Sequence, residues 1–422
     1  MVLKPRILPK NRLRNLVRQR SLGLSAYRTL SRRLAPATYA CKQRRPKGEL
    51  IWIYAAEVGN IRAINDFARR LIQTRPGCHV LITTSEGTVS ADADMIICAK
   101  MPSEHPDATD AFVDHWKPDV VIWTWGGLLP NLVLSAANSE AFMMLIDAES
   151  DGFDSRRDRW LPEVLRHLIA KFETVIVRSK AAHLRMAQLG RALDTIQQTI
   201  PLQPFGRVLP AAESDLSDIT HSLAGRPLWL ATQITRDEIN PVLIAYRQAL
   251  MAAHRLLLVL DPASRSDVEH AQALADQSGL RLCRWGIDDL PNENTQILLA
   301  DPDAGQGLWF RMASVTFLGG SLSPNSPSAD PYVAAAHGSA IIYGPHVRPH
   351  VDAYTRLMNA GAARIVNDAA TLGRAVTQMM APDQAAQMAV AGWNVVTEGA
   401  DSLDKIIAIA TGRLDALQDG IV

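Results

Sequence analysis

A chain of 422 residues, 47% hydrophobic and with a formal net charge of +1, is too long for one core and has room for two domains. That balance excludes a disordered chain and argues against nucleic acid as a partner. The four cysteines, Cys41, Cys78, Cys98 and Cys283, form no Cys-x-x-Cys pair, and Cys78 and Cys98 lie in or beside apolar runs, so they read as reduced core thiols of a cytoplasmic chain.

The charge is uneven. Residues 1–48 carry many Lys and Arg and no acid; the first acid is Glu49. Arg alternates with Leu at helical spacing, and no apolar run is long enough to span a bilayer or to serve as a signal peptide. Two readings stand for this segment: a basic amphipathic stretch on an anionic membrane face, peripheral and on the cytoplasmic side, or a poorly ordered tail.

From Glu49 onward strands and helices alternate. Strands are expected over 50–54, 79–82, 95–98, 119–123, 142–146 and 174–177, with helices over 61–73, 107–116, 128–137, 160–171 and 180–189. Residues 200–218 hold Pro201, Pro204 and Pro210 with little periodicity and read as a linker. The alternation then resumes, with strands over 228–231, 255–260, 296–299, 315–318 and 340–343. Helices are expected over 237–253, 264–277, 307–312 and 331–336, and residues 369–417 are mostly helical. This is an α/β chain of two doubly wound parallel sheets, 49–199 and 219–422. Trp123 and Trp125 end one strand on a common face, a stacking platform for a sugar or, the better reading, core. His105, His115, His167 and His183 lack ligand spacing, so no metal site and no cofactor is expected.

Within 313–346 a buried strand leads into Gly319-Gly320-Ser321, a short helix and a second strand follow, and Gly344-Pro345-His346 closes the unit. Glycine after a strand lets backbone N–H groups approach an anion, and paired turns on neighbouring strands face one crevice. Tight strand–helix connections would use the same residues.

The order of these pieces resembles the Kdo transferases, inverting glycosyltransferases of GT-B fold that move 3-deoxy-D-manno-octulosonic acid (Kdo) from its CMP ester to a lipid A precursor. The turn Ala56-Glu57-Val58-Gly59-Asn60 is similar to the family's Ser-Val-Gly-Glu, with Val58 and Gly59 kept. Thr83, Thr84 and Gly87 resemble its second turn. Gly127 to Asn131 resembles its Glu-Leu-Trp-Pro-Asn, with Leu128, Pro130 and Asn131 kept. Arg178-Ser179, Glu238, Arg265, Gly319-Gly320-Ser321-Leu322, Pro324, Pro331, Gly338 and Gly344-Pro345-His346 match further on. The resemblance implies two Rossmann-like domains facing a cleft, the first on the acceptor side and the second binding the nucleotide sugar.

The departures fall on chemistry. The glutamate that the family uses as general base is Asn60, and the acid opening Glu-Leu-Trp-Pro-Asn is Gly127. The family's Ser-Thr-His turn reads Thr232-Gln233-Ile234, its Pro-Arg-His turn reads Leu260-Asp261-Pro262, and its acid that would hold the ribose is replaced by Val333, after Asp330. The catalytic positions expected are therefore Glu57 and Asn60. Glu57 takes the proton in this reading, and the other reading makes it a helix-start acid complementing the dipole. Donor binding falls to Arg265, Gly319, Gly320, Ser321, Asp330, Gly344, Pro345 and His346; Arg265 also reads as a plain surface charge. Acceptor binding falls to Gly59, Arg156 and Arg157, the two arginines meeting an anionic lipid or neutralising Glu149, Asp151 and Asp154. The expected partners are a CMP-activated acidic sugar, an anionic lipid A precursor and the cytoplasmic face of the inner membrane. A transfer-deficient binding or scaffold protein, or a same-fold transferase with another nucleotide sugar, are the rival readings.

Overall fold

The computed structural model describes residues 22–33, 39–57, 60–85, 95–288, 290–302 and 305–420. Val58, Gly59, Gly87 and most of the basic N-terminal segment lie outside them. The chain divides into two compact units, residues 1–204 with 399–422, and residues 205–398.

The first unit holds seven parallel strands: β1 (Leu50–Ala55), β2 (His79–Thr84), β3 (Ile96–Cys98), β4 (Val120–Thr124), β5 (Phe142–Ala148), β6 (Thr174–Val177) and β7 (Ile196–Gln198). They lie in the order β3-β2-β1-β4-β5-β6-β7. β1, β4 and most of β5 are apolar and buried, as a sheet covered on both faces requires. The second unit repeats the plan with β8 (Leu228–Ile234), β9 (Leu257–Pro262), β10 (Leu282–Arg284), β11 (Ile297–Leu299), β12 (Val315–Leu318), β13 (Ala340–Tyr343) and β14 (Ala363–Ile365), in the order β10-β11-β9-β8-β12-β13-β14. The α/β class with two doubly wound Rossmann-like units is thus the observed one. In each sheet the chain works outward from its first strand and then crosses back, so the strand order reverses between β1 and β4, and between β8 and β12. A ligand crevice is expected beyond the carboxyl ends of those strand pairs.

Four local expectations are corrected. The strands β7, β10 and β14 are three-residue edges too short to show a period. The helix expected over 160–171 is two, Arg156–Trp160 and Pro162–Ile169, because Pro162 has no N–H and starts a new turn. The linker read over 200–218 ends in a helix, Glu213–Leu223, which buries Ile219 and Leu223. In the basic N-terminal segment, Leu22–Ser31 is a helix whose Leu24 is buried and whose Arg28 pairs with Asp110 at 2.8 Å.

The last helix, Ala400–Gln418, was read from the sequence with the second domain but belongs to the first unit. It packs on the helix Ile61–Thr74 and on β4. Arg70 pairs with Asp404, and Arg75 bridges Glu49 and Asp415. Gln418 donates to Glu49 at 2.9 Å.

Candidate functional site

At the first sheet's reversal point the chain leaves β1 through Ala56 and Glu57, and leaves β4 through Trp125. Trp125 is left-handed at φ 63°, its N–H donating to Ile146 O (3.1 Å) and its carbonyl accepting from Glu149 N–H (3.0 Å). Gly126 and Gly152 lie backbone to backbone: a Cβ on Gly126 would meet Gly152 Cα at 2.7 Å. The loops after β4 and β5 are therefore fixed to each other. Trp123 is core and donates to Gly126 O at 2.9 Å.

Those loops assemble three carboxylates around one guanidinium. Arg178, the residue after β6, donates through Nη1 to Glu57 Oε2 at 3.2 Å and through Nε to Glu149 Oε2 at 3.2 Å. Its Nη1 also lies 3.7 Å from Asp147 Oδ2. The Asp147 side chain is 2% exposed and that of Glu57 39% exposed, so only Glu57 of this pair faces solvent substantially. Burial pushes the Asp147 carboxyl up to about 6, against the pull of the Leu202 amide and of Arg178. Burial also works against ionisation of Glu149, but hydrogen bonds from Ser150, Ser179 and Arg178 outweigh it and hold that carboxyl below its ordinary range. Arg178 is itself buried, yet Asp147, Glu57 and Glu149 together raise its affinity for the proton.

A further buried acid belongs to the first unit. Glu104, in the loop after β3, accepts from the Asn131 and Leu132 N–H groups at the start of the helix Pro130–Asn138, at 3.1 and 3.5 Å. Burial pushes its carboxyl up to about 7, and Arg157 pulls it down. Arg157 donates to Leu128 O at 2.6 Å and pairs with Asp158 at 3.1 Å; Arg156 is exposed.

The second sheet's reversal point is built differently. Glu238 is 1% exposed, and its carboxylate accepts from the N–H groups of Gly320 (2.6 Å), Ser321 (2.9 Å) and Leu322 (2.7 Å). The Gly319 N–H donates to Thr232 O at 2.9 Å. The Gly344 N–H donates to Ser321 Oγ at 2.7 Å, and the His346 N–H to Ser321 O at 2.9 Å. A Cβ on Gly319 would lie 2.3 Å from Gln233 O, and one on Gly344 2.3 Å from Ser321 O. A carboxylate of the chain itself thus accepts from the amides of Gly320, Ser321 and Leu322, and the glycines at 319 and 344 let three strand ends meet. Beside them Asp261, 1% exposed at the end of β9, accepts from Thr232 Oγ1 at 2.6 Å, and burial pushes it up to about 6. Asp330 accepts from Tyr332 N–H at 2.9 Å and caps the helix Pro331–Ala336. Pro345, His346 and Arg265 are exposed. Among the described residues no cluster of His, Cys, Asp and Glu is arranged to hold a metal ion.

Residues 28–203 match the profile of the 3-Deoxy-D-manno-octulosonic-acid transferase (kdotransferase) family. Over 407 residues the chain is 26% identical to the 3-deoxy-D-manno-octulosonic acid transferase of Bordetella pertussis, covering 91% of both chains. It is 23% identical over 381 residues to the enzyme of that name from Haemophilus influenzae, covering 88% of each. The chain is thus similar to the Kdo transferases over most of its length, at 26% identity and below. A crystal structure of a C-terminal CMP-Kdo binding domain from Acinetobacter baumannii also aligns, at 17% identity and a TM-score of 0.41, over 43% of this chain and 96% of that one.

Of the expected site residues, the structure brings Glu57 and Asn60 together with Asp147 and Arg178, while Gly319, Gly320, Ser321 and Gly344 pack at the second edge. Gly59 lies outside the described residues. Asn60 does not point a side chain at open space: its Nδ2 donates to Leu202 O at 3.3 Å and to Asp147 Oδ2 at 3.4 Å. The residues that sequence reasoning passed over are Arg178 as the hub, Asp147 and Glu104. A signal for the first two was present. A charged residue that ends or directly follows an all-apolar parallel strand sits at the carboxyl edge of the sheet, where ligands bind.

Proposed function

We propose that this chain transfers Kdo from CMP-Kdo to a lipid A precursor at the cytoplasmic face of the inner membrane, with inversion at the anomeric carbon. The observation that carries the reading is Glu57: a partly exposed carboxylate at the reversal point of the first sheet, steadied by Arg178, in a chain similar to a glycosyltransferase family. In this reading an acceptor hydroxyl is deprotonated by Glu57 as it attacks, and the C–O bond to CMP breaks with the electron pair leaving on phosphate. Arg178 keeps Glu57 aimed. His346 and Arg265, exposed at or near the carboxyl edge of the second sheet, are the cations proposed to meet the departing CMP phosphate. Arg156 is proposed to meet acceptor phosphate.

Membrane contact has support in the first unit. The helix Leu22–Ser31 turns Leu24, Tyr27 and Ser31 inward, while Leu22, Ala26 and Leu30 form an outward stripe, with Leu22 84% and Leu30 59% exposed. Arg32 and Arg33 follow it, and an acid-free basic run precedes it in sequence. Among the described residues no helix is long and apolar enough to cross a membrane.

Calorimetric titration with CMP, against UMP and GMP, comes first, followed by transfer from CMP-Kdo to a lipid A precursor. Selective CMP binding and turnover that drops about 100-fold or more in Glu57→Gln, with unchanged thermal stability, is the expected result. A second reading, a binding protein that has lost transfer, is favoured by one observation: Glu238 already occupies the amides of the Gly319-Gly320-Ser321 turn. Absence of any nucleotide binding would select it. A third, a different nucleotide sugar, is favoured by buried Asp261, an acid where the family carries arginine; binding of UMP or GMP in place of CMP would select that one.

A further inference from the structure

Asn60 starts the helix Ile61–Thr74, yet its side chain makes no cap bond to it. Instead it reaches two acceptors, the Leu202 carbonyl and Asp147 Oδ2. Neither partner can donate, so the amide must present Nδ2 to both. Asp147 completes the arrangement by accepting the Leu202 N–H on Oδ1 at 3.0 Å. Both backbone polar groups of Leu202 are thus held by side chains, in a stretch that forms no strand or helix and ends the first unit two residues later at Pro204. Asp147 itself is left-handed at φ 51°, where β5 and β6 lose register. A strained non-glycine residue persists only where its surroundings determine it, and this clasp is such a determinant.

We propose that Asn60 is a positioning residue that, with Asp147, clasps Leu202 and fixes residues 199–204 to the carboxyl edge of the first sheet, and that an amide is required at position 60 because its Nδ2 is the donor that reaches both the Leu202 carbonyl and Asp147 Oδ2. A carboxylate in its place would set three acceptors against one another, the Leu202 carbonyl, the buried Asp147 and the new side chain. The replacement of the family's glutamate is then more than a loss. Asn60 acts through Leu202 and Asp147, and the inference does not rest on the chain being an active transferase.

The charged groups facing Asp147 are Arg178 from the end of β6, Glu57 from the end of β1 and Glu149 from its own loop. This fixes the sign of the test. In Asn60→Asp, two carboxylates repel at pH 8, and the repulsion eases as the pair takes up a proton at lower pH. The full chain, wild type and Asn60→Asp, is melted from pH 5 to pH 8. The expected loss in Tm is on the order of 5 °C at pH 8 and shrinks as pH falls. Trypsin cleavage after exposed Arg207, read by mass spectrometry, accelerates several-fold at pH 8 only. Asn60→Asp combined with Asp147→Asn, which restores a donor between the two side chains but leaves the Leu202 carbonyl without one, recovers part of the loss. A steric or purely structural role predicts the same loss at both pH values and no recovery, and either result overturns the proposal. So does an Asn60→Asp variant that melts and cleaves like wild type. If Asn60→Asp alone does not fold, the double variant decides: folding supports the clasp and failure removes it.

Discussion

The two sheets reverse their strand order at equivalent places and do opposite things there. Beyond β1 and β4 the edge is charged: Glu57, Asp147 and Glu149 share Arg178, and the backbone turns carry side chains in left-handed geometry at Trp125 and Asp147. Beyond β8 and β12 the edge is closed by glycine turns whose amides are filled by Glu238. The first edge keeps a half-exposed carboxylate. The second turns its nest inward and leaves exposed only what lies on its rim, such as His346. A glycine turn after a strand therefore reports close approach of backbones, and the occupant it admits can be a side chain of the same protein as readily as a phosphate.

Three substitutions sharpen this contrast. The largest effect is expected for Glu238→Ala, which leaves three backbone N–H groups and the Thr235 cap without their acceptor. The second unit should lose roughly 3–6 kcal/mol in urea unfolding, while the transition of the first unit stays in place. Equal loss in both transitions would break the assignment of Glu238 to the second edge alone. Next is Asp261→Asn. The folded state holds the Asp261 proton up to about 6, above the ordinary carboxylate range, so stability from this group is fully present near pH 4 and is lost as pH rises through 6. The variant should match wild type near pH 4 and exceed it by about 1–2 kcal/mol at pH 8; a constant difference across that range would count against a buried titrating acid. The smallest is Arg75→Ala, which unties Glu49 and Asp415 and loosens the C-terminal helix on the first unit, at about 1–2 kcal/mol in thermal unfolding. Arg75 is mostly covered, but Asp415 is exposed, so raised salt should weaken only the Asp415 arm.

The alternation of strands and helices was legible because buried parallel strands are nearly continuous apolar runs, and β1, β4, β9 and β13 lie within two residues of where those runs put them. The three-residue edges β7, β10 and β14 carry no such run. At the site, Glu57 was legible from its place just past β1. The engagement of Asn60 was not, because Leu202 lies 142 positions away along the chain. The same holds for Glu238, which reaches the turn at Gly320 from 82 residues earlier.

The residue pattern by itself determined the α/β class, the presence of two doubly wound sheets and the Kdo transferase resemblance, since all three rest on local apolar periodicity and on short turns in a fixed order. Only the tertiary structure decided which carboxylates gather on Arg178, that the glycine nest is filled from within, and that the last helix returns to the first unit. Those outcomes depend on hydrogen bonds and ion pairs between residues far apart in sequence, whose strength is set by burial and by a few tenths of an ångström, and neither is written in the order of the residues.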